Sequence, residues 1–320
     1  MLQATILDYQ SLAPKELDMD ILWRLPISWE LHGHTNACNT AARVAGKEVV
    51  LSNKVVLDAA LLEANPQLKL IIIMATGTNN VDLVAAKRLG IAVCNIVAYS
   101  TESVVQHTFA CLLALHTRLV DYDKAVREGA WSQSHFFGLL SFPIAEVAGK
   151  TLGIIGYGAI GQRVKQVAEA LGMQVLIAQS IVPDAPEQAG RVSLSALYQQ
   201  ADVISIHSPL SAYSLNLVDE AAFALMKPNA MLLNMGRGGI VNEQALAQAL
   251  KSGRIAAAAT DVLTQEPPLA THLLLDASIP NLLITPHTAW ASQPARQALV
   301  VQMVQILSGF ARGEWVNRVA

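Results

Sequence analysis

Three polar residues suited to binding a carboxylate or transferring a proton each follow a hydrophobic segment in the second half of the chain. Arg237 lies in LLNMGRGGIVN (232–242), Glu266 in AAATDVLTQEPP (257–268) and His287 in LLITPHTAW (282–290). An arginine flanked by glycines at a strand end suits bidentate capture of a carboxylate. A carboxylate beside a histidine stabilises the protonated imidazole. Together the three residues predict a site that holds a small carboxylic acid and transfers a proton.

Each of these residues alone also has a simpler explanation. A surface arginine beside a tight turn, a solvated glutamate before two prolines and a structural histidine after a strand are all common. Successive strands of one parallel sheet, however, end at the same edge, and ligands bind at that edge in open α/β sheets. The convergence therefore favours a catalytic site over three separate structural roles.

A glycine-rich turn supplies the second chemical signal. TLGIIGYGAIGQRV contains Gly156, Gly158 and Gly161 in GxGxxG spacing, after a predicted strand and at the start of a predicted helix. This arrangement allows a tight turn, lets a pyrophosphate approach the backbone and lets the helix pack on the strand. The N–H groups of Ala159 and Ile160 would then bind the pyrophosphate. A glycine-rich turn without a ligand is the alternative, and the strand–turn–helix context favours dinucleotide binding.

The residue that contacts the adenine ribose is neutral in this chain. NAD-binding units place an acid about 20 residues after the glycines, and Gln179, followed by Ser180, occupies that place here. Without a carboxylate, nothing there repels a 2′-phosphate, although the segment 179–182 contains no cation either. The segment 179–182, which we call the adenine-ribose corner, is therefore expected to allow NADP to bind, with a slight preference for NAD.

The elements that must position these residues alternate between strand and helix. Short β-branched runs separated by helical patterns of about ten residues indicate βαβ units and parallel sheets. One such series covers 48–95 and a second covers 151–285, with long helices near 101–119 and 291–312 and a mixed aromatic segment at 121–149. Asn242 is predicted to cap a helix, and Gly253 to end it with a left-handed turn. His107, in the helix near 101–119, is predicted to have a structural role.

Composition excludes several classes of protein. A net charge of −3 and a pI near 6.2 do not favour nucleic-acid binding. No apolar run is long enough to cross a membrane, and the N-terminus lacks the pattern of a signal peptide, so we expect a cytoplasmic protein. The three cysteines, Cys38, Cys94 and Cys111, are expected to be reduced core residues, and without CxxC spacing they predict no metal site.

The motifs together resemble the D-isomer-specific 2-hydroxyacid dehydrogenases. GYGAIG, ADVISIHSPLS, NMGRGGIVNEQAL, ATDVLTQEPP and TPHTAWAS occur in the order of that family. MATGTNNVDL (74–83), YSTESVVQHTFACLL (99–113) and Trp290 resemble its glycerate dehydrogenase and hydroxypyruvate reductase branch. The family often carries Asp or Glu at the position of Gln179, and many members carry Asp at that of Asn79.

The resemblance implies a role for each site residue. Arg237 would bind the substrate carboxylate and 2-oxo oxygen, His287 would be the acid–base, and Glu266 would hold and polarise His287. The substrate would also contact the backbone of Thr76 and Gly77, and Trp290 would shape its pocket. The cofactor set would be Gly156, Gly158, Ala159, Ile160, Gly161, Gln179, Ser180, His207, Pro209, Met235 and Asp261, with Asp261 accepting from the nicotinamide carboxamide.

The resemblance also implies a fold and a partner. We expect an α/β protein with a flavodoxin-like substrate-binding domain at 1–98 and 290–320, into which a Rossmann-type NAD(P)-binding domain at 99–289 is inserted. A homodimer would form through 121–149. Closure of the two domains would exclude water from the reaction.

The predicted function is NAD(P)H-dependent reduction of hydroxypyruvate or glyoxylate to the D-2-hydroxy acid, which runs in reverse as D-glycerate dehydrogenation. No metal is required. Two alternatives stay open at this point: a reductase for a bulkier 2-oxo acid, and a non-enzymatic regulator of the same fold that senses the dinucleotide.

Overall fold

The computed structural model describes residues 1–182, 185–186 and 188–320 of the chain. These residues divide into two compact units. The first unit consists of Met1–Ser100 and Ala291–Ala320, and the second of Thr101–Trp290. No helix in the described part of the chain is long and apolar enough to span a membrane.

The first unit is built on a five-stranded sheet with only parallel pairings. Its strands are β1 Leu2–Ile6, β2 Ile27–Leu31, β3 Val49–Ser52, β4 Leu70–Ile73 and β5 Ala92–Asn95. They lie in the order β2-β1-β3-β4-β5, which is the 2-1-3-4-5 order of flavodoxin-like sheets. The runs of Val, Ile and Leu in β3 and β4 are buried along their whole length, as expected for parallel strands covered on both faces.

Four short helices accompany these strands: α1 Asp20–Trp23, α2 Ala37–Val44, α3 Ala59–Glu63 and α4 Leu83–Arg88. The sequence predicts no element before residue 48, yet β1, β2, α1 and α2 all lie there. β2 has the weaker signal of an edge strand, because its residues are only partly buried or exposed. Cys94 is buried as expected, whereas the prediction that Cys38 is a core residue was wrong, since it is exposed.

The second unit contains a six-stranded sheet, again with only parallel pairings. Its strands are β6 Thr151–Ile155, β7 Gln174–Ile177, β8 Val203–Ile206, β9 Met231–Asn234, β10 Ala257–Thr260 and β11 Leu282–Ile284. They lie in the order β11-β10-β9-β8-β6-β7. The chain thus reverses its progress across the sheet between β6 and β8, and such a switch point opens a ligand-binding crevice. The two parallel α/β sheets confirm the predicted fold class.

The described residues of the second unit include the helices α5 Thr101–Thr117, α6 Leu119–Arg127, α7 Ala159–Ala170, α8 Leu194–Gln200, α9 Glu220–Leu225 and α10 Glu243–Lys251. The predicted ends of α10 are confirmed. The Asn242 side chain accepts a hydrogen bond from the Ala245 N–H at 2.9 Å, and Gly253 has a φ of +68°. One further helix, α11 Gln293–Ala311, belongs to the first unit.

Candidate active site

The glycine-rich turn follows β6 and is packed too closely for side chains. Gly156 has a φ of +92°, and a Cβ atom there would lie 2.6 Å from the backbone of His207 and Ser208. A Cβ atom at Gly161 would lie 2.2 Å from the Gly156 carbonyl oxygen. Only glycine fits at both positions, so the turn brings β6, β8 and α7 together as a dinucleotide-binding turn does.

The first turn of α7 lies where the sequence predicts an anion site. Gly158 is its N-cap residue and gives no side-chain hydrogen bond. Gly158 and Ala159 are exposed, and Ile160 is partly buried. A helix start of this kind leaves backbone N–H groups available to a phosphate, with the helix dipole favouring negative charge.

Two buried polar atoms after β8 have no hydrogen-bond partner within the described ranges. They are Nδ1 of His207 and Oγ of Ser208, next to the Gly156 turn. His207 Nε2 lies 2.8 Å from Ser205 Oγ, and burial lowers the pKa of His207 to about 4, which keeps the imidazole neutral. Unpaired buried groups are costly, and a bound dinucleotide would give these atoms partners. The residues present therefore fit a dinucleotide. Of the other predicted contacts, Pro209 is exposed and Met235 is buried.

Arg237 lies in a tight turn directly after β9. The buried side chain of Asn234 holds both sides of this turn, since Oδ1 accepts from the Gly236 N–H and Nδ2 donates to the Arg237 carbonyl, both at 3.1 Å. The Arg237 guanidinium donates to the Gly236 carbonyl at 2.8 Å and is partly exposed. The backbone of Gly238 packs against that of Leu263, so the Arg237 turn contacts the loop that leads to Glu266.

His287 and Glu266 form the direct pair that the sequence predicts. Nδ1 of His287 lies 2.6 Å from Oε2 of Glu266, and both side chains are partly exposed. The second carboxylate oxygen, Oε1, accepts from the Leu263 N–H at 2.8 Å, which fixes the orientation of Glu266. Because Glu266 occupies Nδ1, Nε2 of His287 is the ring nitrogen that can exchange a proton with a substrate.

A buried carboxylate holds the residues on both sides of His287. Asp261 is only 2% exposed, and its Oδ1 accepts from the Thr285 hydroxyl at 2.6 Å and the Thr288 N–H at 2.9 Å. Its Oδ2 accepts from the Ala289 N–H at 2.8 Å. Three donors from the segment 285–289 thus converge on one side chain. Asp261 therefore positions the loop 285–289, which carries His287, and its contact with the nicotinamide carboxamide stays a prediction.

His107 extends this network from α5. Its Nε2 lies 2.9 Å from the Thr285 hydroxyl and 3.7 Å from Oδ1 of Asp261. At the other end of the loop, the Trp290 indole N–H donates to the His287 carbonyl at 2.9 Å. Trp290 thus holds the His287 backbone. Its role in shaping a substrate pocket stays a prediction.

Thr76 and Gly77 belong to the first unit, where they follow β4. The Thr76 hydroxyl donates to the Ile96 carbonyl at 2.8 Å, and Asn95 Nδ2 donates to the Thr76 carbonyl at 2.7 Å. Asn95 is 7% exposed, so this loop is fixed from the buried end of β5. A fixed loop suits the presentation of backbone N–H groups to a carboxylate.

Gln179 and Ser180 lie at the end of β7. The Gln179 N–H donates to the Val192 carbonyl at 2.8 Å, and Ser180 Oγ accepts from the Val182 N–H at 3.2 Å. Both residues are at least partly exposed. The corner is therefore reachable by a ligand, and its two side chains carry no charge.

Several residues of the site are missed by sequence reasoning: Asn234, Asn95, Thr285 and the contact made by His107. Their signal is weak because a polar residue at the end of a buried strand does not reveal its partner. The one available hint is position, since Asn234 and Asn95 end hydrophobic strands at the edge where ligands bind.

Comparison with known proteins places this geometry in a family. Residues 109–289 match the model of the D-isomer specific 2-hydroxyacid dehydrogenase, NAD binding domain. The chain is 44% identical over 275 residues to the glycerate dehydrogenase of Methylorubrum extorquens, covering 86% of each protein. It is 35% identical to the hydroxypyruvate reductase of Blautia hydrogenotrophica, covering 99% of each.

A solved structure has a similar fold. The NADPH-dependent glyoxylate/hydroxypyruvate reductase of Sinorhizobium meliloti superposes with a TM-score of 0.83 at 26% identity, covering 100% of this chain and 98% of the other. The GxGxxG turn at the switch point and the strand-end Arg237, Glu266 and His287 thus lie in a chain that matches these proteins over nearly its whole length. The protein belongs to the D-isomer specific 2-hydroxyacid dehydrogenase family.

Proposed function

We propose that the protein reduces hydroxypyruvate or glyoxylate to the D-2-hydroxy acid with NADH or NADPH, and oxidises D-glycerate in reverse. The observation that carries the proposal is the pair of His287 and Glu266, 2.6 Å apart, next to the strand that delivers Arg237. Relatives named glycerate dehydrogenase, hydroxypyruvate reductase and glyoxylate reductase support the choice of substrate.

The chain's own groups divide the work between binding and proton transfer. A bound nicotinamide cofactor supplies or accepts the hydride at the carbon that bears the oxygen. The Arg237 guanidinium binds the substrate carboxylate and faces the 2-oxo oxygen, where negative charge develops. His287 gives its Nε2 proton to that oxygen during reduction, while Glu266 stabilises the imidazolium before transfer. In the reverse direction the neutral imidazole takes the proton from the hydroxyl.

The two units take separate roles in this proposal. The second unit, 101–290, binds the dinucleotide, and the first unit contributes the Thr76–Gly77 loop to the substrate carboxylate. This assignment follows the sequence-based division into domains at 1–98 with 290–320 and at 99–289. Replacing Asn95 with Ala tests the loop, because a loosened loop raises KM for the acid more than it lowers kcat.

A homodimer through residues 121–149 is part of the proposal. This segment exposes large apolar side chains, including Phe136 at 80%, Phe137 at 99% and Leu140 at 88%. Several large apolar side chains exposed within one segment are typical of an interaction site. Light scattering after size-exclusion chromatography should give twice the 34.2 kDa chain mass, and the double substitution Phe137→Asp, Leu140→Asp should give the monomer.

The decisive experiment is a panel of initial rates with hydroxypyruvate, glyoxylate and a bulkier 2-oxo acid, each with NADH and with NADPH. The proposal expects the highest kcat/KM with one of the two small acids. Preference for the bulky acid would reassign the substrate. Dinucleotide binding without turnover of any 2-oxo acid would favour the regulator.

A further inference from the structure

Arg191 reaches the glycine-rich turn from the far end of the loop that follows β7. Its guanidinium carbon lies 5.5 Å from the centre of the Tyr157 ring. Tyr157 is the residue between Gly156 and Gly158 in the GxGxxG motif. Stacking of this kind on an aromatic face holds a guanidinium in place while its N–H groups stay available at the edge.

The backbone next to Arg191 lies beside the adenine-ribose corner. Val192 forms a parallel bridge with Ala178, and the Gln179 N–H donates to the Val192 carbonyl at 2.8 Å. Arg191 therefore lies beside the end of β7 that leads into Gln179, although it is twelve residues away from Gln179 in sequence. Its own N–H donates to the Gln188 carbonyl at 3.2 Å, which fixes the backbone before the bridge.

Of the three described residues Gln179, Ser180 and Arg191, only Arg191 carries a charge. Gln179 and Ser180 are neutral, and Arg191 is absent from the ion pairs formed within 1–182, 185–186 and 188–320. The loop also contains Asp184 and Glu187 in its sequence, and both lie outside the described residues. The described corner thus combines a fixed cation, two neutral polar side chains and no acid.

We propose that Arg191 binds the 2′-phosphate of NADP(H), so that this chain uses the phosphorylated coenzyme at least as well as NAD(H). A 2′-phosphate carries a charge of about −1.5 to −2 near neutral pH, and a guanidinium contacts it through two parallel N–H groups. A carboxylate at position 179 would repel this phosphate, and Gln179 does not. The proposal deepens the proposed function by naming the coenzyme, but it depends only on the dinucleotide site.

The test measures binding without any substrate. The probes are adenosine 2′,5′-bisphosphate and adenosine 5′-monophosphate, which differ only in the 2′-phosphate, and calorimetry gives Kd for each. The wild-type protein should bind the bisphosphate more tightly by roughly tenfold to hundredfold, the range for a hydrogen bond to a charged group. The preference should shrink at high salt, because the contact is partly exposed and screened.

Three variants separate this role from other effects. Arg191→Ala should lose the preference while its Kd for the monophosphate stays unchanged, which also shows that the site is folded. Arg191→Lys should keep part of the preference, because the charge remains and the fork is lost. Arg312→Ala removes an exposed guanidinium from the first unit and should leave the preference intact.

Two results would overturn the proposal. One is equal affinity of the wild-type protein for the two probes. The other is a preference for the bisphosphate that survives in Arg191→Ala, which would leave the stacking on Tyr157 as a purely structural contact. Neither result depends on turnover of hydroxypyruvate or glyoxylate, so failure here is distinguishable from failure of the proposed reaction.

Discussion

Replacing Asp261 with Asn tests whether a buried carboxylate holds the loop 285–289, which carries His287. The two side chains have nearly the same shape, so the change creates no cavity. The structure gives Asp261 three donors: the Thr285 hydroxyl and Thr288 N–H on Oδ1 and the Ala289 N–H on Oδ2. An Asn that keeps its oxygen at the Oδ1 position turns its NH₂ group toward the Ala289 N–H. One hydrogen bond is then lost, and two buried donors face each other.

The expected cost follows from that single loss. A hydrogen bond to a charged group contributes about 1.5–3 kcal/mol. For domains of about 150–250 residues, 1 kcal/mol corresponds to about 2–4 °C in Tm, and the second unit falls in that range. Asp261→Asn should therefore lower the Tm of the second unit by about 3–12 °C. Because the loop carries His287, kcat/KM should fall by about tenfold to hundredfold, the effect of a small displacement of a catalytic group.

The assay is thermal unfolding by calorimetry together with initial rates. Asp219→Asn is the matched control, because Asp219 is an exposed N-cap whose side chain accepts from the Ala222 N–H at 2.9 Å, and Asn and Asp cap helices about equally well. The control should change Tm by less than about 2 °C. An Asp261→Asn protein that melts and turns over like the wild type would refute the positioning role.

Three further substitutions address the chemistry directly. His287→Ala should lower kcat by roughly 10²–10⁴-fold and leave dinucleotide binding nearly unchanged, and retained activity would exclude the acid–base role. Arg237→Lys should raise KM for the acid by about tenfold or more, because lysine lacks the planar fork; an unchanged kcat/KM would contradict that role. Gln179→Asp should shift the ratio of kcat/KM values toward NADH by about tenfold, since a carboxylate repels the 2′-phosphate; an unaltered ratio would show that position 179 lies away from the adenine ribose.

The parts of the fold that the sequence predicts are those with strong local patterns. β6 lies where the sequence predicts a strand before the glycine-rich turn, because a buried parallel strand appears in the sequence as one largely apolar run. β2 was missed because an edge strand buries little, and its residues 27–31 include Ser28 and Glu30. Local pattern thus identifies central strands, while edge strands need the sheet to define them.

The residues of the candidate site also differ in how well local sequence pattern predicts their roles. The sequence predicts Arg237, Glu266 and His287 as site residues because each lies in the segment after a strand. Glu266 and His287 can pair because their strands, β10 and β11, are neighbours in the sheet. The sequence assigned Asp261 to the cofactor alone, because its three donors come from residues 24–28 positions further along the chain. Hydrogen-bond partners at that separation are set by the packing of two strand ends, which no local spacing reports.

The adenine-ribose corner shows how a count along the chain can miss a charge. Counting about 20 residues from the glycines finds Gln179, and the neighbouring residues to 182 contain no cation. The parallel bridge between Ala178 and Val192 folds the loop back, so that Arg191 lies beside the strand end that leads into Gln179. A cation that binds a 2′-phosphate therefore need not follow the strand directly. The cation can lie at the other end of the loop, provided that the bridge fixes that end and an aromatic ring such as Tyr157 orients the guanidinium.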